Sequence, residues 1–199
     1  MVHSKTGDSI GGYRSMTWFE DLSPCTYFNR DVGETVLAVG WLERDHIYNK
    51  SPIREKEKVV DTLVRLLDKP WAPMYFKGSQ GCSLCRRPHM PLTLWHKRTQ
   101  ISMGGTNVFV PGNQCIYVAP SLIVHYILDH GYAPPEPFCQ ALLACPPMGS
   151  TDYFQALVSN APDSFGQLVY RTIVEYINAV EYINGRGGAY LGGDGRGDN

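Results

Sequence analysis

Two cysteines separated by two residues, Cys82 and Cys85, constrain the fold of this chain more than any other feature. A turn of that length can bring both sulfurs to one cation, and thiolates bind zinc at about 2.3 Å. Later in the chain, His125 and His130 have four residues between them. That spacing falls within the range of about three to five that zinc fingers use. The four side chains therefore predict a structural zinc site of the Cys2His2 type, around which the fold is organised.

The two histidines lie in a predicted helix, which places a condition on this site. Five steps along a regular helix rotate by about 500°, which leaves the two side chains roughly 140° apart. They can reach one ion only if the helix tightens or ends near His130, and the glycine that follows favours such an end. Asp129 is one turn from His125, so it is either a rival ligand or a carboxylate that holds the imidazole. Two further histidines near the cysteines are also alternative ligands: His89 and His96.

A redox-active pair is the main alternative for the two cysteines. Such pairs usually lie between a strand and a helix of a βαβ unit, whereas the sequence around 82–85 is typical of a loop. Gly81 lets backbone N–H groups approach the sulfurs, and the adjacent arginines 86 and 87 favour the thiolate form. Four other cysteines are spaced irregularly and predict reduced, packed thiols: Cys25, Cys115, Cys139 and Cys145.

The composition is that of an ordinary globular protein, with 43% hydrophobic and 19% charged residues and a formal net charge of −1. That charge gives no general attraction to nucleic acid or to an anionic membrane. The opening segment lacks the apolar region of a signal peptide, and no apolar run approaches about 18 residues. We therefore expect a cytoplasmic protein that does not cross a membrane. A local basic patch is the alternative nucleic-acid site: Arg86, Arg87, Lys97 and Arg98.

Apolar periodicity predicts an α+β domain in which a small antiparallel sheet packs against helices. Strands are predicted at 36–42, 92–96, 107–110 and 116–118, with a hairpin through Gly104 and Gly105. Helices are predicted at about 52–69, 120–130 and 137–145, the first with Ser51 as its cap and Pro52 at its first position. The zinc ion would tie the loop that carries the two cysteines to the second helix.

The predicted organisation has four parts. Residues 1–15 are a disordered leader, 16–145 the α+β zinc-binding domain, 146–184 a C-terminal helical extension and 185–199 a glycine-rich disordered tail. Within the extension, Asp163 is expected to cap a long helix that ends at Gly185. This extension either packs on the domain or mediates association.

Several short motifs stand in a distinctive order: FEDLSP at 19–24, VGWL at 39–42, the cysteine pair at 82–85, YVAP at 117–120, HY at 125–126 and GYAPP at 131–135. This order resembles an uncharacterised bacterial family of unknown function, whose motifs run F-x-D-L-S-P, G-W-L, C-x-x-C, Y-A-A-P, H-Y and H-x-Y-x-P-P. The resemblance covers about residues 16–143 and implies no established activity. Some members of that family have a histidine ahead of the cysteines, where this chain has Gln80.

Known catalytic motifs are absent from the sequence. There is no H-E-x-x-H or G-x-S-x-G, and no histidine is followed two residues later by glutamate as in zinc deaminases. The predicted function is therefore that of a non-enzymatic, zinc-stabilised interaction or accessory protein, with an unknown protein partner. The alternative is a metal-dependent hydrolase in which Glu136 or Asp129 acts as the general base, and this alternative requires an open position on the metal.

Overall fold

The computed structural model describes residues 18–27, 35–73, 80–86, 93–161, 166–167 and 170–176. The predicted leader 1–15, the predicted tail 185–199, His89 and Arg87 lie outside these residues. The elements follow in the order β1 (Val36–Ala38), α1 (Lys56–Asp68), β2 (Thr93–His96), β3 (Thr99–Ser102), β4 (Asn107–Pro111), β5 (Ile116–Pro120), α2 (Ile123–Asp129), α3 (Glu136–Leu143) and α4 (Thr151–Asn160). The predicted α+β class is confirmed.

A three-stranded sheet with the order β1-β5-β4 lies at the centre of the fold. Strands β4 and β5 pair antiparallel, with Phe109 opposite Val118. Strand β1 pairs with β5 in parallel, so the sheet is mixed rather than wholly antiparallel as predicted. Parallel pairing requires a long crossover connection, and the chain between β1 and β5 supplies it with α1 and three strands.

The second sheet is a hairpin of β2 and β3, in which Trp95 lies opposite Gln100. The prediction of a hairpin through Gly104 and Gly105 is wrong, because the chain already turns at Lys97 and continues into β3. Strand β3 buries Ile101 and has an exposed residue on either side of it, so it carried too weak an apolar signal to be predicted. Gly104 instead has a positive φ of 80° and lies so close to the Gln80 backbone that a side chain there would clash.

Helix α1 contacts β3 of the second sheet and the helices α2 and α3. It buries six apolar residues: Val59, Val60, Leu63, Val64, Leu66 and Leu67. It begins at Lys56, so the predicted start at Pro52 with Ser51 as the cap is wrong. Glu55 adopts a left-handed backbone conformation with φ of 54°, which interrupts any helix that begins earlier. The backbone N–H of Ser51 donates to the Asn49 side chain at 3.0 Å, so Ser51 belongs to a turn.

The three later helices pack on the same core. Strand β5 ends at Pro120, and helix α2 begins at Ile123, after Ser121 and Leu122. Helix α4 buries Tyr153, and its hydroxyl donates to the carbonyl of Phe109 on β4 at 2.8 Å. The first helix of the predicted extension is thus part of the hydrophobic core. Residues 166–167 and 170–176 are also helical, and Ile173 among them is buried.

Candidate metal centre

The turn that contains the two cysteines lies against the end of α2. Cys82 is buried and Cys85 is half-buried. Cys82 accepts hydrogen bonds from the backbone N–H groups of Cys85 and Leu84, an arrangement that stabilises a thiolate. Burial nevertheless raises the pKa of the Cys82 thiol to about 11, so the sulfur keeps its proton at neutral pH in the absence of a cation. Binding of a metal ion must therefore release protons from this turn.

The two histidines converge because α2 ends between them. His125 lies inside the helix and is 2% exposed, whereas His130 is the residue directly after the last helical position. The next residue, Gly131, has a positive φ of 67°, which turns the chain away from the helix axis. The condition that the sequence placed on this pair, a helix that ends near His130, is met.

Four side-chain atoms meet at one point: the Sγ atoms of the two cysteines and the Nε2 atoms of the two histidines. All four lie within 4.8 Å of one another. Sγ of Cys85 lies 3.3 Å from Nε2 of His125 and 3.4 Å from Nε2 of His130, and the two nitrogens are 3.1 Å apart. Sγ of Cys82 lies 3.3 Å from Nε2 of His130. The edges of a tetrahedron around zinc with two S and two N ligands run from about 3.3 Å for N–N to about 3.8 Å for S–S. The short contacts would therefore lengthen slightly around an ion, and the widest separation, within 4.8 Å, would shorten.

A carboxylate fixes the orientation of the first histidine. Nδ1 of His125 lies 2.5 Å from Oδ2 of Asp129, one helical turn away. Because the Nδ1–H donates to that carboxylate, Nε2 carries the lone pair and faces the sulfur of Cys85. Burial lowers the pKa of His130, and the neighbouring His125 lowers it further. The lower pKa favours the neutral imidazole that a metal requires. Asp129 therefore orients the imidazole of His125, as in one of its two predicted roles.

Two residues beside this cluster went unrecognised in the sequence. Arg44 donates from Nε to the carbonyl of Ser83 at 2.9 Å and from Nη2 to the carbonyl of Cys85 at 3.0 Å. The hydroxyl of Tyr48 donates to the carbonyl of His130 at 3.4 Å. Both side chains donate to backbone carbonyls of residues that are distant in sequence. The residue pattern gives no signal for such a bond, because it does not show where a carbonyl lies. The arginines expected to favour the thiolates were 86 and 87, of which Arg86 is exposed.

The other predicted site residues lie elsewhere. Nε2 of His96 is bonded to Asp61 on α1 at 2.7 Å, so that nitrogen is not available to the cysteines. Lys97 of the predicted basic patch pairs with Glu57 and Asp61. Glu136, a predicted general base, accepts a hydrogen bond from Gln140 at 3.0 Å and is exposed.

The donor set defines what this cluster can do. Two sulfurs and two imidazole nitrogens form a group that could hold a metal ion, and in the described ranges it comprises Cys82, Cys85, His125 and His130. Thiolate and imidazole together suit zinc and other borderline-soft cations better than magnesium or calcium. All four positions of a tetrahedral ion would be filled by protein atoms.

A family model for a domain of unknown function, DUF7919, matches residues 17–143. The chain belongs to this family. The prediction of membership in a family of unknown function is thereby confirmed, and all four residues of the cluster lie inside the DUF7919 domain. No curated protein and no solved structure matches the chain. In the described part of the chain, none of the helices has the length and apolar character needed to span a membrane.

Three of the short sequence segments described above meet beside the cluster of cysteines and histidines. The carboxylate of Asp21, from the FEDLSP segment, accepts the backbone N–H of Gly40 at 2.8 Å. It also accepts the hydroxyl of the fully buried Tyr132 at 2.8 and 2.9 Å. Tyr132 follows His130 by two residues. This network therefore fixes the chain on the far side of the helix end that presents His130.

Proposed function

We propose that the cluster is a structural zinc site and that the chain is a non-enzymatic, zinc-stabilised interaction or accessory module. The observation that carries the proposal is the convergence of four protein donor atoms within 4.8 Å. Zinc accepts two thiolates and two imidazoles in a closed tetrahedron, and such sites serve folding rather than catalysis. The ion would join the turn at 82–85 to the end of α2, two segments that are distant in sequence.

The contacts of the two candidate bases favour this reading over the metal-dependent hydrolase. Asp129 holds Nδ1 of His125, which is an orienting role. Glu136 is exposed and bonded to Gln140 on its own helix. Neither contact supports a carboxylate that activates a water on an open metal position.

The free thiols support a reducing setting for the module. All six cysteines are free, and four of them are buried outside the cluster. Free thiols persist in a reducing compartment, so we place the protein in a bacterial cytoplasm, where it would act by binding a protein partner. With a closed metal site, the domain would act through its surface.

Cobalt substitution tests whether the site is closed. The purified protein is first analysed for metal content, and the ion is then replaced by cobalt(II), whose visible absorption reports its ligands. We expect one zinc per chain and a tetrahedral cobalt spectrum that does not change when azide, cyanide or a small thiol is added. A spectrum that shifts with these ligands would mean an open position, and the hydrolase would then be the better account.

A further inference from the structure

The turn between the two cysteines is held from outside by one side chain. Arg44 binds the carbonyls of Ser83 and Cys85 with two separate nitrogens, at 2.9 and 3.0 Å. A guanidinium is a rigid planar fork, so two simultaneous bonds fix the relative positions of both acceptors. The two acceptors lie inside and at the end of the metal-binding turn. Arg44 therefore contacts the turn at two points along its length.

The effect on the sulfur passes through a single peptide unit. The carbonyl of Ser83 and the N–H of Leu84 belong to the same planar, trans peptide, so they point in opposite directions. When Arg44 holds the carbonyl on one side, the N–H is directed to the other side. There it donates to the sulfur of Cys82. The bond from Arg44 thus orients the N–H that contacts the Cys82 sulfur, and with it the position of that sulfur in the turn.

Arg44 is itself exposed, whereas the chain two and three residues before it is buried in the core. Two residues earlier in the chain, Leu42 is buried, and before it Trp41 is 1% exposed. The indole Nε1 of Trp41 donates to the carbonyl of Val118 in the central sheet at 3.0 Å. The exposed Arg44 thus lies three residues after an indole that is bonded to the core strand β5.

We propose that Arg44 is a positioning residue of the metal site, which sets how tightly the cluster retains its ion by fixing the peptide between Ser83 and Leu84. The proposal rests on the proposed function, since it concerns the same site. It assigns the role to geometry and not to charge. The guanidinium contacts carbonyl oxygens, and it would touch neither the ion nor its ligand atoms.

Three variants of the full-length protein separate geometry from charge. Arg44→Met keeps most of the stem but removes the donors and the charge. Arg44→Lys keeps the charge but replaces the fork with a point donor. Arg86→Met removes a charge from the exposed position directly after Cys85, so it is the matched control for electrostatics. For each protein, zinc affinity and release rate are measured by competition with a chromophoric chelator.

We expect Arg44→Met to weaken zinc binding about tenfold to a hundredfold, the range found for residues that orient metal ligands. Arg44→Lys should lose most of the same affinity, and Arg86→Met should remain within about twofold of the native protein. The melting temperature of the metal-free protein should be the same for all four proteins. A residue that only stabilised the fold would instead lower that temperature.

Three results would overturn the proposal. In the first, Arg44→Lys binds like the native protein while Arg86→Met is weakened, which would make charge the cause. In the second, Arg44→Met and Arg86→Met bind zinc equally well. In the third, both Arg44 variants fail to fold at saturating zinc, which would give the arginine a general role in folding. These results leave the zinc site itself intact, whereas a native protein that binds no zinc would contradict the proposed function as well.

Discussion

Two histidines in this protein are each bonded to a carboxylate, and they lie in different regions. At the end of α2, Nδ1 of His125 lies 2.5 Å from Asp129. At the hairpin of β2 and β3, Nε2 of His96 lies 2.7 Å from Asp61 on α1. Both histidines are candidate zinc ligands by sequence, yet only His125 faces the cysteines.

The difference shows that a carboxylate partner alone does not make a histidine a metal ligand. His125 uses Nδ1 for the carboxylate, so its Nε2 is directed at the sulfur of Cys85 from a site where the side chain is 2% exposed. Nε2 of His96 is bonded to one carboxylate oxygen of Asp61, and the other oxygen pairs with Lys97. Whether a histidine can serve as a metal ligand depends on which ring nitrogen bonds the carboxylate and on which group the other nitrogen faces.

Replacing each histidine gives the largest expected contrast. His125→Ala removes a ligand, so we expect zinc affinity to fall by more than about a hundredfold, beyond the range for residues that merely orient ligands. His96→Ala should bind zinc like the native protein. Elemental analysis after dialysis and chelator competition measure both. Equal zinc in the two variants would contradict the assignment of His125.

Removal of the metal should affect the two regions differently. At a free zinc concentration about a thousandfold above the dissociation constant, binding contributes about 4 kcal/mol to the free energy of unfolding. For a chain of this size, a chelator should therefore lower the melting temperature by roughly 8–16 °C. Amide hydrogen exchange should rise at 80–86 and at the end of α2, and should change little at β2 and β3. An equally large increase at β2 and β3 would contradict a local effect of the ion on this junction, beyond its contribution to global stability.

The two carboxylates provide a smaller contrast. Asp129→Asn removes the charge that holds the His125 imidazole, so zinc affinity should fall about tenfold to a hundredfold. Asp61→Asn should leave zinc affinity within about twofold, because its partner His96 does not face the cluster. Competition with the same chelator measures both variants. A larger loss in Asp61→Asn would show that the hairpin is coupled to the metal site.

The smallest effect is a pH dependence at the hairpin. Hydrogen bonds from Lys97 and then from His96 lower the pKa of Asp61. A carboxylate whose pKa is lower in the folded state contributes stability above the pKa of the unfolded chain, about 3.9, and loses it as the pH falls through the folded value. The metal-free native protein should therefore be slightly more stable than Asp61→Asn at pH 6. The two melting temperatures should converge as the pH falls through the folded-state pKa of Asp61. A difference that persists below that pKa would have another origin.

The sequence predicted the convergence of the four side chains better than it predicted the topology around them. The spacing of Cys82 and Cys85 and the glycine after His130 are local signals, and they were sufficient to select the four side chains that meet. The contact of Arg44 with the cysteine turn could not be predicted, because Arg44 binds backbone carbonyls and their direction depends on tertiary structure. Strand β3 was not predicted because its apolar pattern is weak. The late start of α1 was not predicted because it depends on the left-handed backbone of Glu55.

Zinc K-edge X-ray absorption on the purified protein tests the central claim most directly, since it counts the atoms around the ion. The account predicts two sulfurs at about 2.3 Å and two nitrogens at about 2.0–2.1 Å, with no further oxygen ligand. The same spectrum for Cys82→Ser should show fewer sulfurs per zinc or no bound zinc. A native spectrum without sulfur, with more than two sulfurs or without protein-bound zinc would contradict the assignment of the four residues to one closed site.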